Sequence, residues 1–374
     1  MTFVRRRRTA TLLGSLFVLV ACSAPAATQS SPAPTAPPSA GSSAATSAAP
    51  AAESSHSASP QPTDQPLAWH QLETGGPAAR EDHTWTVDAS GSTAFLFGGR
   101  DGAEVMGDLW AYDLAADTWS AVETADGLAP RFGHEAVWVD GIGLVIFAGQ
   151  AGPTFFNDLW AFDPATGDWR QLPSGGDVPV ARYGTCAAIG PDGRLWISHG
   201  FTSDGTRFAD TKAYDFADGT WTDETPPGNL PVNRCLHGCW WTADGELALF
   251  GGQTTGVTAL DDRWLLRPGD AWAQVDGTVP APRNLYARAR LDAATLLFGG
   301  QGPDGSRLDD GWLLVDGEPD AIRVEVGATA PAGRSGAELI ADVSRERFLL
   351  FGGLAADTVL ADVWELDGDL PLGQ

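Results

Sequence analysis

Six arginines stand out among the residues of this chain that could do chemistry: Arg80, Arg131, Arg182, Arg234, Arg283 and Arg334, at steps of 51, 51, 52, 49 and 51 residues. Guanidinium groups arranged in a ring would hold carboxylates or sugar acids through bidentate hydrogen bonds. The competing use is internal. Each arginine would pair with the aspartate of a following Asp-x-Trp motif and brace its own unit. Strict repetition favours bracing, because a site for an asymmetric ligand needs differences between units. The residues that do differ in the same loops are therefore more informative: Phe155, Phe156, Phe201, Arg207, Arg307 and Tyr286.

Other reactive side chains are fewer. His83, His134 and His237 each lie three residues after an arginine, and we read them as structural histidines bonded to backbone or aspartate. Cys235 and Cys239 flank His237 on one extended segment, about 13 Å apart, too far for a bond between them. A bond from Cys186 to one of these two, or three buried thiols, are the open readings. The chain has no Ser-His-Asp pattern, phosphate-cradling glycine loop or zinc spacing, so no catalytic residue, metal ligand or cofactor is assigned.

The elements that position these residues repeat with the arginines. An apolar run ending in glycine follows each one, as in Phe95–Gly99, Leu249–Gly252 and Leu350–Gly353. Next comes Asp-x-Trp at Asp108, Asp158, Asp262, Asp310 and Asp362, with Asp210-Thr211-Lys212 breaking the pattern in unit three. A second tryptophan closes most units (Trp119, Trp169, Trp221, Trp272). A period near 50 residues made of short strands and tight turns is that of a propeller blade. The predicted fold is therefore all-β: a six-bladed propeller of four-stranded blades over residues 68–374. The innermost strand follows the arginine, and the loops after the glycines open at one mouth. Trp69 precedes Arg80 by 11 residues, much as the closing tryptophans precede the next arginine. Trp69–Leu72 is thus expected to supply the missing outer strand of blade six, near Val363–Leu366, and to remove an exposed edge.

The double glycine, the spaced aspartate and the tryptophan resemble the Kelch repeat, as does Arg-x-x-His at Arg80, Arg131 and Arg234. Ala148 and His199 replace a first glycine, and Ile322-Arg323-Val324 stands where blade five should have its closing tryptophan. The resemblance implies a protein- or carbohydrate-binding mouth. A six-bladed exported Kelch propeller is also similar in outline to the sialic-acid mutarotases, where an acid such as Glu104 would shuttle protons. A more remote resemblance, through Tyr183 and Cys235, is to the copper-radical oxidases, which carry seven blades and a further domain.

The first residues read differently. Arg5–Arg8 and the apolar Thr11–Ala21 form an export signal over residues 1–21. Leu19-Val20-Ala21-Cys22 resembles the lipobox of bacterial lipoproteins, which implies acylation of Cys22 and anchoring to a lipid bilayer. Residues 22–67, almost wholly Ala, Ser, Pro, Thr and Gln, are expected to be a disordered tether. The formal net charge is −25 with Lys212 as the only lysine, which argues against a nucleic-acid partner. The leading reading is a non-enzymatic binding module, lipid-anchored outside the cytoplasm in a bacterial cell envelope.

Overall fold

The computed structural model describes residues 66–124, 127–256, 258–325, 327 and 329–371; the export signal, Cys22 and the tether up to residue 65 lie outside them. Six antiparallel sheets follow one another along the chain. Their innermost strands are Thr84–Val87, Glu135–Val139, Cys186–Ile189, Gly238–Trp241, Ala287–Leu291 and Glu338–Asp342, each starting four residues after its arginine. The second strands, such as Gly143–Phe147, are buried at every residue in five blades and at all but Thr93 in blade one, because a neighbouring sheet covers each face. That is why they read as continuous apolar runs and not as alternation. The glycine pair ends these strands in the left-handed region. Ala148 and His199 keep the same backbone at φ 63° and 58° despite carrying side chains.

Aromatic wedges join the blades. In blades one, two and three the closing tryptophan packs on the phenylalanine ending the second strand of the preceding blade: Trp169 on Phe97 at 5.4 Å, Trp221 on Phe147 at 5.1 Å, Trp119 on Phe351 at 5.3 Å. Trp69 repeats that contact on Phe298 at 5.1 Å. The N-terminal strand Ala68–Leu72 pairs antiparallel with Val363–Asp367, placing Trp69 opposite Leu366 and Leu72 opposite Val363. The ring is closed as its spacing predicts. Blade three departs from four strands: Gly175–Gly176 adds a parallel fifth strand beside Thr220–Trp221. There the Tyr214 hydroxyl donates to the Pro173 carbonyl and the Trp221 indole to Ser174.

Cys186 and Cys239 form a disulfide between the innermost strands of blades three and four, with Cα atoms 5.7 Å apart, and Cys235 is a buried free thiol. Closing a loop of 53 residues restricts the unfolded chain. Removing the bond by reduction or by Cys186→Ala/Cys239→Ala is expected to cost roughly 2–4 kcal/mol. Thermal melts with and without reductant measure this, and coincident curves would contradict it.

Candidate functional site at the loop face

Every repeated arginine is buried to within 1 % of complete and engages its own blade. Arg182 is typical: two parallel bonds of 2.8 Å to Asp210, a third to the His199 carbonyl and a fourth to the Val180 carbonyl. The pairs Arg80–Asp108, Arg131–Asp158, Arg234–Asp262, Arg283–Asp310 and Arg334–Asp362 repeat it. In five blades the same aspartate also accepts the indole N–H of its Asp-x-Trp tryptophan, at 2.6–2.8 Å. Lys212 removes that donor in blade three. The arginine main chain meanwhile bonds to the preceding blade; the Gly149 amide, for example, donates to the Arg182 carbonyl. The motif is a clasp between blades. Four donors of each guanidinium at Arg80, Arg131, Arg182, Arg234, Arg283 and Arg334 are used inside the fold, the bracing arrangement that strict repetition favours over a ligand-binding ring.

Two residues after each arginine the chain turns left-handed, at Asp82, Gly133, Gly184, Leu236, Leu285 and Gly336, with φ between 52° and 64°. The amide of each donates to the carbonyl of its equivalent in the preceding blade: Asp82 to Gly336, Gly133 to Asp82, and so on around the axis. Six such bonds of 2.7–3.3 Å form a closed main-chain ring. They offset the cost of about 1 kcal/mol or more that the left-handed backbone imposes at Asp82, Leu236 and Leu285. Gly133 has no alternative, since a Cβ there would lie 1.7 Å from the Tyr183 ring.

Above this ring, on the loop face, the residue after each arginine bridges the residue after each glycine pair: Glu81 with Arg100, Tyr183 with Phe201, Cys235 with Gln253, Asn284 with Gln301. The rim therefore differs from blade to blade. Phe132, Tyr183, Phe201 and Phe155 form a row of edge-on rings with centroids 5.1–5.7 Å apart. The Arg100 guanidinium lies over Phe132 at 4.4 Å, and Arg207 over Phe201 at 5.7 Å. Arg100 also pairs with Asp82 at 2.8 Å and Glu81 at 3.2 Å, while the Tyr183 hydroxyl donates to Asp82 at 3.3 Å. Burial, and then the Asp82 charge, push the Glu81 carboxyl up to about 7 against the pull of Arg100 and Arg307. Arg207 and Arg307 make no ion pair among the described residues; each donates to a glycine carbonyl two residues back. Their Nε atoms, with Asn284 Oδ1, Gln253 Oε1 and Ser335 Oγ, are buried without a hydrogen-bond partner. This surface can take carboxylates on its arginines and apolar or aromatic groups on its ring faces.

A family model, the KLHDC2/KLHL20/DRC7 Kelch-repeats domain, matches residues 63–252, about half of the chain. The chain belongs to the Kelch-repeat family. Kelch propellers are typically protein-binding modules. The match ends in blade four, and blades five and six carry the same Kelch clasp at Arg283 and Arg334.

Among the blade-specific residues singled out in sequence, Phe155, Phe201 and Arg207 do meet at the rim of the Kelch propeller. Phe156 instead lies beneath the Arg131 guanidinium at 4.0 Å, as part of a clasp. Tyr286 is also corrected: it is buried, its hydroxyl donating to the Phe250 carbonyl and accepting from the Gly238 amide, both at 2.7 Å. Tyr286 occupies the position of the repeated histidines, which wedge between blades, His83 on Phe351 and His134 on Phe97. His134 bonds to the Thr84 hydroxyl at 2.8 Å and not to backbone or aspartate; both His83 ring nitrogens are unpartnered. Glu104 sits exposed in a hairpin. Tyr183 bonds to Asp82, and Cys235 contacts Gln253. The sequence reading missed Glu81, Asp82, Arg100 and Phe132. Their signal was present as three variable positions inside an otherwise constant repeat: the two residues after the arginine and the one after the glycine pair.

Proposed function

We propose that this chain is a lipid-anchored, extracytoplasmic Kelch propeller that captures an acidic, aromatic-containing segment of a partner protein on its loop face. The observation that carries the reading is Arg207, which makes no ion pair among the described residues and lies over Phe201 at the edge of the aromatic row, with Arg307, likewise without an ion pair, in the equivalent loop of blade five. The body is strongly acidic, but its repulsion is screened beyond about 8 Å at physiological salt, whereas guanidinium contacts act near 3 Å. An exported tether acylated at Cys22 would hold this face away from the bilayer.

Binding is tested by fluorescence anisotropy with peptides pairing Asp or Glu with Phe or Tyr. Arg207→Ala/Arg307→Ala is expected to weaken binding at least about 30-fold, on the order of 2 kcal/mol, with melting unchanged. Equal affinity in wild type and variant would contradict the reading, and displacement of peptide by glucuronate would point to a glycan ligand. Cys22→Ser is expected to shift the protein out of the detergent phase; unchanged partitioning would refute the anchor. A sugar-acid-modifying enzyme is favoured by one observation only: the Glu81 carboxyl, poised near neutrality and 3.2 Å from Arg100, is suited to proton transfer. Anomer exchange of sialic acid, followed by NMR and lost in Glu81→Gln, is the test of that alternative.

A further inference from the structure

Below the main-chain ring, the channel holds charged groups that the rim does not use. Glu135 of blade two, Arg288 of blade five and Glu338 of blade six project from innermost strands into one layer. Arg288 lies 3.5 Å from Glu135 and donates its Nε–H to the Cys239 carbonyl at 3.3 Å. The Glu338 carboxyl makes no hydrogen bond or ion pair among the described residues, though it lies within the field of Arg288 and Glu135. Two carboxyls thus share one guanidinium that is already engaged.

Space lies on both sides of this layer. Toward the ring is a chamber of about 60 Å³, lined in part by Asp82, His83 and His134. All three are more than nine-tenths buried, yet Asp82 Oδ1, both His83 nitrogens and His134 Nδ1 lack partners. Toward the opposite face is a cavity of about 730 Å³. Ala136, Ala187, Ala289 and Ala341 line its walls, so small side chains leave the axis open. A cavity of this size is in the range that binds small molecules.

We propose that this axial cavity binds a small organic cation, a primary amine or guanidinium compound, with its charged head between Glu135 and Glu338 and its aliphatic body along the alanine walls. An anion would face two carboxyls, Glu135 and Glu338, in a layer whose one guanidinium, Arg288, is already ion-paired to Glu135. A neutral polyol would leave the carboxylates uncompensated once they are ionised. No group of three or more potential metal ligands converges among the described residues. The acidic body concentrates cations at such a channel mouth.

The site carries its own pH signature. Burial pushes Glu338 up to about 8, with Arg288 opposing and Glu135 and Asp82 adding to the rise. Burial likewise pushes Glu135 up to about 7 against Arg288 and the Ala187 amide. Arg290, also on the cavity wall, is neutralised by Asp316, and Asp88 stands on the lining as a further acid. An incoming ammonium must replace the carboxyl protons, so affinity rises with pH until both carboxyls are ionised.

Titration calorimetry of the full chain with agmatine and 1,5-diaminopentane, near pH 6 and near pH 8.5, tests this. Glucuronate and erythritol serve as anionic and neutral probes. One-to-one binding of the amines is expected, tighter by about tenfold or more at the higher pH. Glu338→Gln should weaken it by about tenfold or more, while Arg207→Ala/Arg307→Ala leaves it unchanged. Glu338→Gln is expected to stay folded, since an amide replaces a carboxyl that burial already keeps largely protonated at neutral pH. Absence of saturable amine heat near pH 8.5, equal affinity in Glu338→Gln, or preference for glucuronate would each overturn the proposal.

Discussion

Arg234→Ala is expected to lower the unfolding free energy by about 3–5 kcal/mol, the usual consequence of leaving one member of a buried ion pair uncompensated. The variant would strand the Asp262 carboxylate, which accepts two bonds of 2.6 Å, together with the Gly251 carbonyl. Arg80→Ala should cost less, because the Asp108 side chain is 44 % exposed against 16 % for Asp262, and water can replace the lost partner. Arg234→Lys should recover only part of the loss, since an ammonium cannot reproduce the planar fork. Burial alone would raise the Asp262 carboxyl, but the Arg234 bonds and charge outweigh it and hold the group below its ordinary value. Its folded value being depressed, the stability it contributes is complete above the ordinary carboxylate range and is lost as pH falls through the folded value. Acid should therefore narrow the gap between wild type and Arg234→Ala. Denaturant melts at neutral and acidic pH measure both effects, and six alanine variants as stable as wild type would refute the clasp.

Deleting residues 68–72 is expected to cost about 5 kcal/mol or more, starting from the burial of Trp69 on Phe298. For a chain of this size that corresponds to a fall in Tm on the order of 8 °C. The deletion also uncovers the edge of Val363–Asp367, so self-association that grows with concentration should accompany it. Deletion of residues 30–60, rich in Ala, Ser and Pro, should leave the melt unchanged. Matching melts for the two truncations would show that the strand does not fasten the ring.

The two effects differ in how far they could be read from sequence. The clasp partners follow from a spacing repeated six times. Trp69 reveals its role because its distance from Arg80 matches that of the other closing tryptophans. Both depend on contacts that each blade makes with itself or with the next one, and the repeat shows those contacts again and again. The fifth strand in blade three escaped this reading because Gly175 and Gly176 carry no side-chain pattern at all. Tyr286 was misread because an aromatic residue in a mouth loop looks the same in sequence whether it faces solvent or wedges between sheets.

The rim and the axial cavity belong to a different order of information. The Tyr183 hydroxyl reaches Asp82 across 101 residues, from blade three to blade one, and Arg288 of blade five meets Glu135 of blade two. No local period relates these residues. They come together because the ring closes and because six left-handed turns draw the strand starts to one axis. The disulfide partner was decided in the same way: Cys239 and not Cys235 faces Cys186, through the register between neighbouring innermost strands. By itself, then, the sequence determined the blades, their number, their clasps and their closure, because these rest on short-range geometry and repeated turn chemistry. Which unlike residues share the axis was decided only by the tertiary structure, since ring closure brings together positions that no spacing along the chain connects.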